Sequence, residues 1–223
     1  MPAAHVSVAL DHALGSRPVR VRDEGGLSQV RGFTRVLRDV LSPSECQLVI
    51  AAAEVAGFEP AALYTDAGGR DVFSTKRASH RAIIDSTPFA TALWERLRPY
   101  VPLELAGQRA VGLNERARVL RYDPGDAFAP HCDASYRRTD GSGAESRVTV
   151  LLYLNEGYTG GRTTFYASRH AASRQDGTDV VPRIGTVALQ DQALLHGVPP
   201  LVSGRKYILR TEVMYARTRT GAA

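Results

Sequence analysis

Cysteine is scarce in this chain of 223 residues: there are two, Cys46 and Cys132. Two cysteines leave one disulfide open but nothing demands it, and a reducing cytoplasm is the default expectation. No segment approaches the roughly 18 consecutive apolar residues that cross a bilayer. The start, "MPAAHVSVALDHALG", lacks a basic stretch followed by a long apolar run, so neither a secretory signal nor a membrane partner is expected. Aromatic residues make up 7% and are not interleaved with basic runs, which argues against a platform for single-stranded nucleic acid. Internal repeats are absent. The formal net charge is +5, with much of the excess in the first forty residues and in the tail "ARTRTGAA". It favours anionic partners only weakly. A hydrophobic share of 43% against 23% charged allows a core of useful size.

Residues 1–30 carry Gly, Ser, Arg and Pro without a sustained period and read as a flexible arm. Residues 31–217 read as one domain and 218–223 as a tail. The domain opens with helices. Ser42 stands before Pro43 and three residues before Glu45, a capping box with proline at the first helical position. Cys46, Val49, Ile50 and Ala53 follow at helical spacing, and Gly57 offers a stop. A second helix is expected from Thr87–Pro88, with Phe89, Leu93 and Leu97 on its buried face and Pro99 ending it.

After residue 110 the texture changes. "RARVLRY", "RVTVLLYLN", "RTTFY", "IGTVAL" and "KYILRTEVMY" are short runs rich in Val, Thr, Tyr and Leu, separated by Gly, Pro, Asp and Ser. That pattern predicts a many-stranded antiparallel fold rather than alternating βαβ units. The expected class is α+β, mainly β: a double-stranded β-helix, or jelly roll, with the N-terminal helices packed outside.

One stretch, "RYDPGDAFAPHCDASY", carries the chemistry. In extended chain, residues two apart share a face, so His131 and Asp133 converge while Cys132 points away. An isolated His-x-Asp pair is more often a local hydrogen bond. Two later features change its meaning. His196 closes the apolar segment "LLHGVPP", and "SGRKYILR" follows at once, setting Lys206 and Arg210 on one face of an apolar strand and Arg205 on the other. A cation inside a β barrel is disfavoured unless it meets an anion. Two imidazoles, one carboxylate and an inward cation make the 2-His-1-carboxylate set that holds non-haem Fe(II) with open positions. His5, His12, His80 and His170 lack a partner pattern and are expected on the surface or in packing.

The run from about Gly32 to Tyr215 resembles the Fe(II)/2-oxoglutarate-dependent dioxygenases, in their prolyl-hydroxylase-like branch. The resemblance lies in "YDPGDAFAPHCD", "RVTVLLYLN", "GGRTTF" and "LLHGVPPLVSGRKYILRT", in that order, with "ECQLVIAAAE" and "RASHR" as lead-in. It implies iron held by His131, Asp133 and His196 as catalytic ligands, and 2-oxoglutarate and O2 as cosubstrates, with ascorbate supporting turnover. It also implies that Lys206 binds the far carboxylate of 2-oxoglutarate, with Arg210 sharing or taking that task, and that Tyr153, Tyr122 and Thr163 line the same pocket. The implied reaction is hydroxylation of a protein, peptide or free amino-acid side chain, releasing succinate and CO2. The presence of Asp133 favours hydroxylation over halogenation, which related enzymes reach by lacking that carboxylate. Two other readings remain: an oxygenase of the same scaffold acting on a natural-product small molecule or on nucleic acid, and a non-catalytic jelly-roll binding module. Two polar segments, Tyr64–Lys76 and Ala134–Ser146, are expected as flexible loops beside the mouth that choose the acceptor.

Overall fold

The computed structural model describes residues 9–15, 19–62, 64–65, 71–72, 76–167 and 177–217. Nine strands matter most for the site. They are β1 (Thr34–Arg38), β2 (His80–Asp85), β3 (Arg116–Tyr122), β4 (Ala127–His131), β5 (Glu145–Tyr153), β6 (Thr164–Tyr166), β7 (Val187–Asp191), β8 (His196–Val198) and β9 (Lys206–Ala216). In the large sheet the order is β1–β7–β5–β9–β3–β2. Arg22–Asp23 extends it beyond β1, Glu59–Pro60 beyond β2, and Gln108–Leu113 runs along the far end of β9. The small sheet is β6–β8–β4, with Gly177–Asp179 outside β6 and Arg77–Ala78 outside β4. Every one of these pairings is antiparallel, as the short runs with turn residues between them predict.

The large sheet is the middle layer. Along β5, Val148, Val150 and Leu152 enter the core beneath the helices, while Leu151 and Tyr153 enter a second core shared with the small sheet. The same alternation runs along β9, where Leu209 and Val213 face the helices and Ile208 faces the small sheet. Burial on both faces explains why "VTVLLY" is an unbroken run rather than an alternating one. Removing a side chain such as Leu152 or Leu209 from water contributes about 1.5–3 kcal/mol each.

Helix α1 (Pro43–Ala56) starts as the capping box predicts. The Ser42 hydroxyl accepts from the Glu45 N–H at 3.3 Å, and Glu45 Oε2 accepts from the Ser42 N–H at 2.8 Å. Gly57 stops it at φ 85°, its N–H donating to the Ala53 carbonyl. Helix α2 (Thr87–Leu97) is capped by Ser86, buries Phe89, Leu93 and Leu97, and gives way to a 3-10 turn containing Pro99. Arg96 of α2 ties the two helices together, meeting both Glu45 carboxylate oxygens at 2.7 and 3.0 Å. Burial opposes the Glu45 charge, but Arg96 and the N–H groups of Ser42 and Gly15 outweigh it and hold the carboxyl at about 2. Glu45→Gln is expected to lower unfolding free energy by about 2–4 kcal/mol, since it breaks a largely buried ion pair and half a capping box. The folded pKa lies below the ordinary value, so this stability is present above about 4.5 and fades as pH falls towards about 2. Chemical denaturation at pH 7 and pH 3 checks both points, with the gap between variant and parent narrowing at pH 3.

The N-terminal segment differs from a flexible arm over its described residues. Leu10 and Ala13 are 0% and 1% exposed within the outer core, Asp11 accepts from the Ser86 hydroxyl, and Arg22–Asp23 pair with β1. A few apolar residues do this packing, too few to register as a period. The segment Tyr64–Lys76 was expected to lack structure of its own, yet Tyr64–Thr65 pair with Asp71–Val72; positions 66–70 and 73–75 lie outside the described residues. His5 and His170 also lie outside them, as do residues 218–223. Ala134–Ser146 was expected to be flexible and is pinned instead. Arg138 meets both Glu115 carboxylate oxygens at 2.9 and 2.5 Å, its N–H donates to the Ala144 carbonyl, and Arg137 bridges to Glu145.

Candidate active site

Strands β4 and β8 pair with His131 directly opposite His196. Opposite residues of an antiparallel pair project to the same side, so the two imidazoles face one space. Their ring centroids are 4.4 Å apart. Strand β4 ends at His131, but the chain stays extended: the Asp133 N–H donates to the Gln192 carbonyl at 2.9 Å, and the carboxylate turns to the same space. One ligand atom from each of His131, Asp133 and His196 lies within 4.8 Å of the other two. Each histidine Nε2 is 3.8 Å from an Asp133 oxygen. His131 Nδ1 faces away, 2.9 Å from the Ala129 carbonyl, while His196 Nδ1 lies 3.1 Å from the Leu194 carbonyl and 3.0 Å from the Gln190 side-chain amide. A proton on each Nδ1 satisfies those carbonyls and leaves both Nε2 lone pairs for a metal, the arrangement that orients metal-binding histidines. The donor set fits a divalent first-row metal with open positions.

The electrostatics suit that use. Burial, then the neighbouring His196, pushes His131 down to about 4, so the ring is neutral and its lone pair free at pH 7. Burial works against the Asp133 charge, but Arg210, His196 and a hydrogen bond from Thr149 overcome it and hold the carboxyl at about 2. The Thr149 hydroxyl donates to Asp133 Oδ2 at 2.7 Å. Gln190, its cross-strand partner, sets its amide against both Asp133 and His196. Sequence reasoning passed over Thr149 and Gln190. Their one signal is a polar residue at an inward position of an otherwise apolar strand.

A second set of groups lies deeper. Lys206, the first residue of β9, is 0% exposed. Its ammonium donates to the Gly161 carbonyl at 2.7 Å and stands 5.0 Å from the Tyr122 ring and 5.8 Å from the Tyr153 ring. Among the described residues no carboxylate pairs with it, and burial alone pushes it down to about 7. The Tyr153 and Thr163 hydroxyls are buried beside one another without a well-aligned hydrogen bond. A buried ammonium and two unsatisfied hydroxyls are costly unless a polar guest meets them. The glycine pair explains the carbonyl: Gly160 and Gly161 have φ of 75° and 59°, and a Cβ at Gly160 would stand 2.7 Å from the Pro200 carbonyl oxygen.

The triad residues and, of the deeper set, Tyr122, Thr163 and Lys206 line one cavity of about 590 Å³, with Tyr153 behind its wall. Arg210 shares the inner face with Lys206 but is engaged, 3.1 Å from Asp133 and 2.8 Å from Glu212. Arg205 points away and pairs with Asp123 at 2.6 Å. The Cys132 thiol donates to the Ala193 carbonyl at 3.2 Å. His80 has neighbours the residue pattern did not suggest, grouping with Asp123 and Asp126.

Residues 117–211, which span all three potential ligands and Lys206, match the family model of the 2OG-Fe(II) oxygenase superfamily. Those residues form a 2OG-Fe(II) oxygenase region. The oxygenase is also similar to several solved structures. A Pseudomonas putida prolyl-4-hydroxylase is 18% identical, with 97% of this chain and 100% of that one covered and a TM-score of 0.58. A Trichoplax adhaerens prolyl hydroxylase, solved with a peptide fragment of the hypoxia inducible factor oxygen degradation domain, is 18% identical over 96% and 90% with a TM-score of 0.57. HygX from Streptomyces hygroscopicus, solved with nickel, 2-oxoglutarate and hygromycin B, is 16% identical over 84% of each chain with a TM-score of 0.52. At these identities the likeness concerns the jelly-roll fold. No curated protein matches in sequence. The match over 117–211, together with the His/Asp/His donor set, indicates an Fe(II)- and 2-oxoglutarate-dependent dioxygenase. No helix among its described residues is long and apolar enough to cross a membrane.

Proposed function

We propose that the oxygenase is a prolyl-hydroxylase-like hydroxylase of a protein, peptide or free amino-acid side chain, with residues 31–217 as its catalytic domain. His131, Asp133 and His196 hold the iron. Lys206 anchors the far carboxylate of 2-oxoglutarate, Tyr122 and Thr163 line its pocket, and the buried Tyr153 hydroxyl supports it from behind. The observation that carries this reading is the buried Lys206 ammonium, without a carboxylate of its own, in the same cavity as a His/Asp/His donor set. Iron and 2-oxoglutarate, when bound, supply the oxidising chemistry, consuming O2 and converting 2-oxoglutarate to succinate and CO2 as one oxygen enters a C–H bond.

The chain's own part is positional. Carbonyls 129 and 194 keep both imidazoles turned the right way, and Thr149 holds the carboxylate. Lys206 gives a point charge in a dry pocket, where it counts for far more than in water. Arg210 answers the Asp133 charge from the side. This supports Lys206 over Arg210 as the anchor, because Arg210 already has two carboxylates to satisfy. The free cysteines, Cys46 and Cys132, support a cytoplasmic setting. A second reading, a natural-product tailoring oxygenase, draws on the likeness to HygX.

Incubation with Fe(II), ascorbate, 2-oxoglutarate and a panel of peptides, amino acids and small natural products tests the reading by mass spectrometry. The expected result is a gain of one oxygen on one acceptor, with succinate formed in step. No metal-dependent succinate in any arm would overturn the hydroxylase assignment.

A further inference from the structure

The cavity holds more positive charge than the reaction described above uses. Arg77, Arg81, Arg118, Lys206 and Arg210 line it against two carboxylates, Asp133 and Glu212. Fe(II) and the 2-oxoglutarate dianion cancel one another in formal charge. Glu212 is already shared, meeting Arg118 at 3.1 Å and Arg210 at 2.8 Å. Arg81 reaches out of the cavity to Glu59 at 3.1 Å. Arg77 remains.

Arg77 is the Cα partner of Phe128 at the seam where the two sheets meet. Its Nε donates to the Ser79 hydroxyl at 3.3 Å and its Nη1 to the Ala62 carbonyl at 2.9 Å, so the guanidinium is held in place by neutral groups. None of the ion pairs among the described residues involves it. The guanidinium carbon stands 4.7 Å from the centroid of the Phe128 ring, which itself stacks on the His131 imidazole at 3.6 Å. The cation is therefore one aromatic ring away from a metal ligand. A structural arginine of this burial ordinarily finds a carboxylate. A fixed guanidinium with a free edge, in a low-dielectric cavity of net positive charge, recruits a planar anion.

We infer that the acceptor carries a carboxylate close to the carbon that is hydroxylated, and that Arg77 receives it. This assignment rests on the hydroxylase reading above and makes it narrower. Two sources present the same chemistry: the α-carboxylate of a free amino acid, and an acidic side chain or free C-terminus of a peptide. The cavity's charge disfavours a neutral peptidyl side chain flanked by amides, which would leave Arg77 desolvated and unanswered.

The test uses the full chain, loaded anaerobically with Fe(II) and saturated with 2-oxoglutarate, and reads calorimetric binding. One arm titrates proteinogenic amino acids against their primary amides. The other titrates blocked tripeptides with central Asp or Glu against those with Asn or Gln. At least one acid is expected to bind about tenfold or more tightly than its amide, a difference of about 1.4 kcal/mol. The arm that shows it names the source. Arg77→Gln should remove that preference and Arg77→Lys should restore part of it. The acid-to-amide comparison in the parent protein needs no variant, so a poorly folded Arg77→Gln does not rescue the idea. Normal 2-oxoglutarate binding with acids and amides indistinguishable, or with no acid bound at all, would overturn the carboxylate assignment alone. Absence of metal-dependent 2-oxoglutarate binding in the loading step would overturn it together with the hydroxylase reading.

Discussion

Lys206→Met is expected to weaken 2-oxoglutarate binding by roughly thirtyfold to several thousandfold, without lowering the thermal midpoint of the ligand-free protein. The first half follows from truncating one partner of a buried, charge-assisted contact, which costs about 2–5 kcal/mol. The second follows from burial. An ammonium at 0% exposure, with one carbonyl as partner, costs stability in its charged form. Its folded pKa is pushed down to about 7 from an ordinary 10.5, so the unfolded chain holds the extra proton between those values. The cost is therefore present in full below pH 7 and is relieved as pH rises from about 7 towards 10.5. A methionine of similar length removes it, and the gain in midpoint should be larger at pH 6 than at pH 10. By the same linkage, 2-oxoglutarate restores the ammonium and its binding takes up a proton above pH 7, so affinity in the parent falls as pH climbs. Calorimetry in buffers of different ionisation enthalpy measures that uptake. A dissociation constant within threefold of the parent's would remove Lys206 from the anchor role. Arg210 would then be the next residue to examine, despite its pairing with Asp133 and Glu212.

The second large effect concerns the donor set. His131→Ala, Asp133→Ala and His196→Ala are each expected to reduce metal affinity by more than the 10–100-fold that follows loss of an outer hydrogen-bond partner. Succinate formation should fall to background in all three, and circular dichroism should stay close to the parent's. The histidine variants remove part of the small sheet's inner face, where both rings stack on phenylalanines, Phe128 at 3.6 Å and Phe165 at 5.7 Å between centroids. Asp133→Ala acts differently, because it also deprives Arg210 of a carboxylate 3.1 Å away. Asp133→Asn keeps the shape and separates the two effects. Metal content after dialysis against Fe(II) or Co(II) decides the point. A single variant that kept near-parent metal and turnover would exclude that residue as a ligand.

Much of this was legible in the chain itself, and the reason is local. Capping depends on residues three apart, so Ser42 and Glu45 announced α1, and Thr87–Pro88 marked the start of α2, whose Ser86 cap the structure added. Inward and outward positions in a strand depend on residues two apart, so His131 with Asp133, and Lys206 with Arg210, could be assigned to shared faces. What lay beyond reach was register between distant segments. That His131 stands opposite His196 is set by the β4–β8 hydrogen bonds across 65 positions of chain. That Arg210 is engaged and Lys206 is left for a guest depends on where Asp133 and Glu212 come to rest beside β9. Thr149 and Gln190 looked like ordinary polar residues in apolar strands until the β5–β7 pairing set them together against Asp133. Arg77 sat in a segment read only as lead-in, and its exposure to the cavity arises because the short strand Arg77–Ala78 closes the seam beside β4. Local stereochemistry determined from sequence which groups could converge. Long-range strand pairing, whose free energy is shared over the whole sheet, decided which of them met and which were left unpartnered.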